Sequence, residues 1–102
     1  MAGVVDIIEA STRIRRGPRV LSRRSGDETV LLDMDSEHYF GLDAVGSTCW
    51  ALIDASDDGA TFGALLTAVL AEFEVDPAVA ERDLRVLVAE LLGSGLVVTN
   101  VV

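Results

Sequence analysis

The chain has 102 residues, half of them hydrophobic and a quarter charged, which fits one small globular domain and excludes a disordered protein. One cysteine excludes an internal disulfide, and one histidine leaves little for a transition-metal site. The net charge of −9 combines 17 acidic residues with eight bases, all arginine, which argues against nucleic acid as a partner because phosphate contacts need a basic surface.

The N-terminal quarter of the chain is basic, whereas the rest is acidic. Residues 1–26 carry six arginines against two acids, a net +4, and residues 27–102 sum to −13. Such an arm is either a docking segment or a segment that neutralises its own domain. The apolar run Val4–Ile8 is interrupted by Asp6 and is too short for a signal peptide or a membrane span. We therefore expect a cytoplasmic protein without a membrane partner.

Three short stretches with two-residue periodicity predict an antiparallel β meander. Their β-branched and aromatic residues recur between turn clusters, and the strands are expected at Val20–Arg24, Thr29–Met34 and His38–Leu42. The polar turns at 25–27 and 35–36 are short enough to pair neighbouring strands antiparallel. A further strand within residues 7–14 would be separated from the meander by Gly17-Pro18.

From residue 43 onward the apolar residues recur every three to four positions and predict three helices. Each helix follows a side chain that can cap it, and these N-caps are Asp43, Thr61 and Asp76. The third helix ends at Gly93-Ser94-Gly95, and a short strand Leu96–Thr99 follows. The order β-β-β-α-α-α-β predicts an α+β fold, in which a three-stranded antiparallel sheet is followed by a three-helix, winged-helix-turn-helix-like bundle.

No catalytic or cofactor-binding motif is recognisable, so we expect neither enzyme activity nor a cofactor. The chain lacks a glycine-rich phosphate loop. Asp33, Asp35 and Glu37 alternate, but a calcium loop would need a turn glycine and a closing glutamate, so a solvated strand face fits better. Cys49 lies in a helical pattern without a partner for nucleophilic catalysis, and we interpret it as a reduced, buried residue.

Two segments, TVLLDMDSEHYFGLDAVGSTCW (29–50) and DPAVAERDLRVLVAELLGSGLVV (76–98), carry a distinctive order of motifs. The first two motifs are an apolar strand, Val30–Asp33, and an aromatic strand-to-helix step, Tyr39–Asp43. The third is a glycine four residues before a tryptophan, Gly46 with Trp50, and the fourth is a helix that ends at a glycine, Asp83–Leu92 before Gly95–Val97. In this order they resemble the PqqD-like family, also called RiPP recognition elements, where RiPP denotes a ribosomally made, modified peptide. The stand-alone members of lasso-peptide clusters are the most similar, over about residues 19–98.

The resemblance implies a non-catalytic adaptor that binds the N-terminal leader of a precursor peptide and presents it to modifying enzymes. Residues 19–102 would form the peptide-binding domain, and residues 1–18 an N-terminal arm that is either an extra strand or flexible. The implied partners are the precursor leader, which should present a tyrosine and a proline, and a cysteine-protease-like leader peptidase. An ATP-dependent cyclase could be a further partner.

The implied binding mode is addition of the leader as an extra strand beside the third strand, in a groove against the third helix. The residues expected to meet the peptide are His38, Tyr39, Phe40, Gly41, Leu42, Arg82, Asp83, Val86, Leu87 and Glu90. By strand alternation, Phe40 and Leu42 should pack into the core. Tyr39 should then line the groove, and Gly41 should allow a close approach of another backbone.

The charges of the third helix leave several interpretations open. Arg82 or Arg85 could pair with leader acids, and Asp83 or Glu90 with leader bases, or all four could form a solvated face. A small winged-helix DNA-binding regulator is an alternative function, although the acids among these arginines and the acidic body disfavour it. A generic interaction domain whose acidic body docks a basic enzyme is another.

Overall fold

The computed structural model of the chain describes residues 8–99, which form an α+β fold of two antiparallel sheets and three helices. The elements in chain order are β1 (Arg13–Arg16), β2 (Val20–Ser25), β3 (Glu28–Asp33), β4 (Tyr39–Leu42), α1 (Ala44–Asp54), β5 (Ala60–Thr61), α2 (Phe62–Glu72), α3 (Pro77–Gly93) and β6 (Val97–Thr99). The predicted fold class, a meander followed by three helices, is confirmed.

The predicted meander is the sheet β2-β3-β4, in which neighbouring strands pair antiparallel. Its side chains alternate between two faces, because successive residues of a strand point in opposite directions. On the inner face Thr29 and Leu31 of β3 are buried against the helices, as is Leu42 of β4. The outer face bears Val30 and other exposed residues.

A second sheet, with the order β5-β1-β6, was not predicted. The strand expected within residues 7–14 lies at Arg13–Arg16 instead, and the C-terminal strand pairs with it rather than with the meander. Gly17 is required at this junction, because a Cβ there would lie 2.6 Å from the carbonyl oxygen of Gly95. The local sequence pattern could not reveal this sheet, because β5 has only two residues and β1 has only one buried side chain. Neither strand is therefore marked by a two-residue alternation of apolar residues.

The three predicted helix caps are confirmed. The Asp43 carboxylate accepts a hydrogen bond from the Gly46 N–H at 2.9 Å, and the Thr61 hydroxyl accepts one from the Ala64 N–H at 3.1 Å. The Asp76 carboxylate accepts from two backbone N–H groups at the start of α3. These bonds satisfy donors that a helix otherwise leaves unpaired at its first turn. No helix within residues 8–99 is long and apolar enough to cross a membrane.

The core lies between the helices and both sheets, and the second sheet contributes Ile14 of β1 and Val97 of β6. Its largest fully buried side chains include Phe62 of α2 and Leu31 of β3, and α1 adds Cys49 and Trp50. The Arg85 guanidinium lies 4.9 Å from the centre of the Phe62 ring and donates a hydrogen bond to the backbone carbonyl of Ile8. Arg85 therefore belongs to the packing of α3 against α2.

Candidate functional site

β4 is an edge strand of the meander, and within residues 8–99 it pairs with β3 alone. The Asp33 N–H donates to the His38 carbonyl at 3.0 Å, so this carbonyl points toward β3. Because main-chain groups alternate in direction along an antiparallel strand, the N–H and C=O groups of Phe40 and Leu42 also point toward β3. The N–H and C=O groups of Tyr39 and Gly41 consequently face the open edge.

Two hollows lie along this edge. The larger, of about 400 Å³, separates β4 from α3, and its lining residues are Phe40, Gly41, Leu42, Asp43, Val45, Gly46, Asp83, Leu84, Leu87 and Glu90. The smaller, of about 310 Å³, lies beside the start of β4 and is lined by Asp33, Ser36, His38, Tyr39, Phe40, Gly93, Ser94 and Leu96. Since Phe40 lines both, we treat them together as one β4–α3 groove.

All five strand residues that the resemblance indicated line this groove. Their burial follows the predicted alternation: Leu42 is buried and Phe40 packs against the core, whereas Tyr39 is 73% exposed. A Cβ placed on Gly41 would meet no atom within 4 Å. The backbone of this strand is therefore open to a close approach, as expected for Gly41.

The helix residues indicated by the resemblance divide into two groups. Asp83, Leu87 and Glu90 line the groove, whereas Arg82 and Val86 do not. The reason is the helical repeat of 100° per residue, which brings residues 83, 87 and 90 into one stripe and leaves the other two to its side. Val86 is exposed, and the Arg82 Nε lies 3.7 Å from a carboxylate oxygen of Asp83.

The sequence pattern did not reveal about half of the groove. The residues that it did not indicate are Asp33, Ser36, Asp43, Val45, Gly46, Leu84, Gly93, Ser94 and Leu96. Asp43 is predicted as the N-cap of α1, and Gly46 belongs to the motif with Trp50, but nothing local shows that α1 begins beside α3. The packing of the helices on the sheet brings these residues together.

The turn before β4 is organised by the Asp33 carboxylate. It accepts hydrogen bonds from the Asp35 N–H and the Ser36 hydroxyl, both at 3.0 Å, and Ser36 Oγ accepts one from the His38 N–H. The hydrogen bond from the Asp35 N–H is the main cause that lowers the pKa of Asp33 below its usual value, and the Ser36 hydroxyl lowers it further. Partial burial of the carboxylate acts in the opposite direction and raises the pKa. The turn fixes the point at which β4 begins.

The groove is acidic along its length. Asp33, Asp43, Asp83 and Glu90 all line it, and His38 is its only basic group among residues 8–99. Within the described residues, no three side chains of the histidine, cysteine or carboxylate type lie close enough to hold a metal ion.

A meander with an open edge beside the last of three helices is the arrangement that the resemblance to PqqD-like proteins implies. A profile of the family described as Coenzyme PQQ synthesis protein D (PqqD) matches residues 28–97. The chain belongs to this family.

Two solved structures are similar to this one. "TbiB1 in Complex with the TbiA(beta) Leader Peptide" has a TM-score of 0.73 and 37% sequence identity, over 81% of this chain and 93% of that chain. "Lasso peptide synthetase B1 complexed with the leader peptide" has a TM-score of 0.63 and 27% identity, over 87% of this chain and 99% of that chain. The comparison with curated proteins gives no match.

Proposed function

We propose that the protein is a non-catalytic adaptor of lasso-peptide biosynthesis, which captures the leader of a ribosomal precursor peptide by strand addition in the β4–α3 groove. The observation that carries the proposal is the open edge of β4, where the main-chain groups of Tyr39 and Gly41 have no strand partner within residues 8–99. Membership of the PqqD family supports it, as do two similar structures whose names include a bound leader peptide.

Affinity and specificity would come from different parts of the groove. Main-chain hydrogen bonds to β4 would contribute about 0.5–1.5 kcal/mol each, whatever the leader sequence. The hollows would then select side chains, because alternate residues of the added strand point toward α3. Leu84, Leu87 and Val45 give the larger hollow an apolar wall, which suits the aromatic ring expected in the leader.

The acidic lining of the groove bears on which charged residues of the leader it would pair with. Arg85 is engaged by the Phe62 ring, and Arg82 lies outside the groove, so neither is placed to meet leader acids. Asp83 and Glu90 line the groove itself. We therefore favour pairing of these two carboxylates with basic leader residues.

Presentation of the precursor follows from this mode of binding. A peptide held along one edge leaves its outer main-chain edge and the residues beyond the groove accessible. The leader peptidase, and after it the ATP-dependent cyclase, could then act on the held chain. In this role the adaptor raises the local concentration of precursor at the enzyme without taking part in the chemistry.

The direct test is a titration of a fluorescein-labelled leader, synthesised from any lasso-precursor gene that adjoins the gene of this protein, with fluorescence anisotropy as the readout. We expect saturable binding in the micromolar range or tighter. N-methylation of the leader residues that pair with Tyr39 and Gly41 should weaken binding at least tenfold, whereas methylation at the intervening positions should not. An absence of saturable binding by the wild-type protein would contradict the proposal.

A further inference from the structure

β2 is the second edge strand of the meander, on the opposite side from β4, and within residues 8–99 it pairs with β3 alone. The Met34 N–H donates to the Arg19 carbonyl at 2.9 Å, so this carbonyl points toward β3. Because main-chain groups alternate in direction along the strand, those of Arg23 also point toward β3. The N–H and C=O groups of Ser22 and Arg24 consequently face an open edge.

A hollow of about 300 Å³ lies beneath this edge, between β2 and α1. Ser22 and Arg24 pair with Leu31 and Thr29 of β3, which are buried, so their side chains also lie on the inner face. Both are nevertheless exposed, because α1 leaves a gap over β2. We call this gap the β2–α1 hollow, and its lining residues are Ser22, Arg24, Thr29, Ser47, Trp50, Ala51, Asp54 and Ala55.

Trp50 lines the β2–α1 hollow with an indole N–H that lacks an acceptor. The residue is 3% exposed, and its Nε1 is the one buried side-chain nitrogen or oxygen atom within residues 8–99 that has no hydrogen-bond partner. Buried donors in folded proteins are nearly always paired, so an unpaired one calls for an explanation. A donor of this kind beside a hollow indicates a site that an acceptor from another molecule completes.

The uncompensated charge of the β2–α1 hollow is positive. Asp54 is paired with Arg16 of β1. Arg24 forms no ion pair within residues 8–99, and its Nε donates to the Gly26 carbonyl of its own hairpin. β2 itself carries two arginines and no acidic residue. Since the β4–α3 groove is acidic, the two edges of the meander suit peptides of opposite charge.

We propose that the open edge of β2 and the β2–α1 hollow form a second strand-addition site, which takes an acidic, extended segment of a partner protein. Main-chain groups of Ser22 and Arg24 would bond to the segment. An inward carboxylate of the segment would enter the hollow, accept a hydrogen bond from the Trp50 N–H and pair with the Arg24 guanidinium. The site does not require the leader, so the adaptor would hold two polypeptides at opposite edges of one sheet.

Two other occupants fit the β2 edge less well. In an antiparallel pair of β2 strands from two copies of this chain, each strand would bring two arginines into one ladder, and like charges on neighbouring strands are destabilising. A cofactor is disfavoured by size, because about 300 Å³ lies at the lower end of small-molecule sites, which span about 300–1,000 Å³. An acidic strand offsets the arginines and supplies the acceptor for Trp50.

The test uses a fluorescein-labelled peptide of three Val-Glu repeats, because strand alternation places all its glutamates on one face. Anisotropy measures its affinity. The chain has one tryptophan, so the indole signal in a proton–nitrogen correlation spectrum reports on Trp50 alone. We expect saturable binding in the submillimolar range and a downfield shift of the indole proton. A Val-Gln peptide of equal length should bind at least fivefold more weakly, and glutarate, a carboxylate without a main chain, at least tenfold more weakly.

Four variants separate the contributions of charge and edge. Arg24→Gln removes the charge of the hollow, and Arg23→Gln, on the outer face of the same strand, is its matched control. Ser22→Pro removes an N–H at the open edge while the β3 ladder stays intact, and Ser22→Ala is the control for the hydroxyl. We expect a loss of affinity of at least fivefold in Arg24→Gln and at least tenfold in Ser22→Pro, against twofold or less in the controls.

Circular dichroism melts establish that each variant is folded, and each should bind the leader within twofold of wild type. The inference would be overturned if the Val-Glu peptide did not bind, if the indole signal stayed unchanged at saturation, or if Arg23→Gln and Arg24→Gln lost equal affinity. Displacement of the peptide by unlabelled leader would place it at β4 instead. Glutarate that binds as tightly as the peptide would make the ligand a free carboxylate, and a wild-type dimer in sedimentation that Ser22→Pro dissociates would make a second copy the occupant.

Discussion

At the scale of single residues, polar groups near the groove shape the backbone. Asp33 holds the turn before β4 through bonds to Asp35 and Ser36. Glu37, in the same turn, has a φ of 63°, a left-handed conformation that a side chain other than glycine adopts at a cost. Cys49 is buried, and this burial, with the nearby Asp43 charge, raises the pKa of its thiol to about 12. A thiol in this state is a poor nucleophile at neutral pH.

The role of Asp33 predicts a pH-dependent effect of Asp33→Asn. Folding lowers the pKa of Asp33, so the ionised carboxylate stabilises the fold. This stabilisation is complete at pH values above the pKa of the carboxyl group in the unfolded chain. It is lost as the pH falls through the pKa of Asp33 in the folded protein. The substitution should therefore lower the free energy of unfolding at pH 7 and make progressively less difference below about pH 4. Urea denaturation at pH 7, 5 and 3 measures this.

Asp57→Asn, in the loop after α1, is the control for the loss of one negative charge in that experiment. A constant difference between wild type and Asp33→Asn across the three pH values would contradict the expected linkage. It would mean that the amide loses packing or geometry rather than an ionised hydrogen-bond acceptor.

At the scale of elements, β4 has two chemically different edges, and proline substitutions can distinguish them. Tyr39→Pro removes an N–H that faces the open edge, so leader affinity should fall at least tenfold while the β3 ladder stays intact. Phe40→Pro removes an N–H that faces β3, so it should lower the free energy of unfolding by about 1–3 kcal/mol. Anisotropy and urea titrations separate the two effects.

Tyr39→Ala is the control for the side chain in the proline experiment. If it binds leader as weakly as Tyr39→Pro, the loss comes from the ring and not from the N–H. Full leader affinity in both proline variants would move the peptide to another edge, of which β2 is the other free one in the meander within residues 8–99.

At the scale of the whole molecule, some arginines of the basic arm bond to groups of the folded domain. Arg16 pairs with Asp54 of α1, and Arg13 donates to the backbone carbonyl of Asp58. Arg19, just beyond the arm, pairs with Asp35. These exposed pairs contribute little stability, about 1 kcal/mol or less each. They favour the interpretation in which these arginines neutralise their own domain.

The overall charge predicts the behaviour of the molecule toward nucleic acid. A net charge of −9 should repel a duplex even though the fold includes a winged-helix-like bundle. We expect no mobility shift of a random duplex of about 30 base pairs at about 10 µM protein and low salt, since a protein that neutralises phosphates binds most strongly there. A complex that dissociates as salt is raised would contradict this expectation and revive the regulator hypothesis.

Much of the fold could be predicted from the sequence because it depends on local pattern. Caps at Asp43, Thr61 and Asp76 are set by side chains that reach their own first turn. The alternation of Phe40 and Leu42 with Tyr39 follows from the two-residue repeat of a strand. The second sheet was not predictable, since its strands lie far apart in sequence and pair through long-range contacts.

By itself, the sequence determined the class of protein, the meander, the three capped helices and the five strand residues that line the groove. The tertiary structure decided which main-chain groups of β4 face the open edge, which side of α3 meets it, and that Arg82 and Val86 lie outside. It also decided that the outer face of the meander stays uncovered. The physical reason is that the periodicity of apolar residues indicates which residues share a face of a strand or helix, whereas strand register and packing decide what that face contacts.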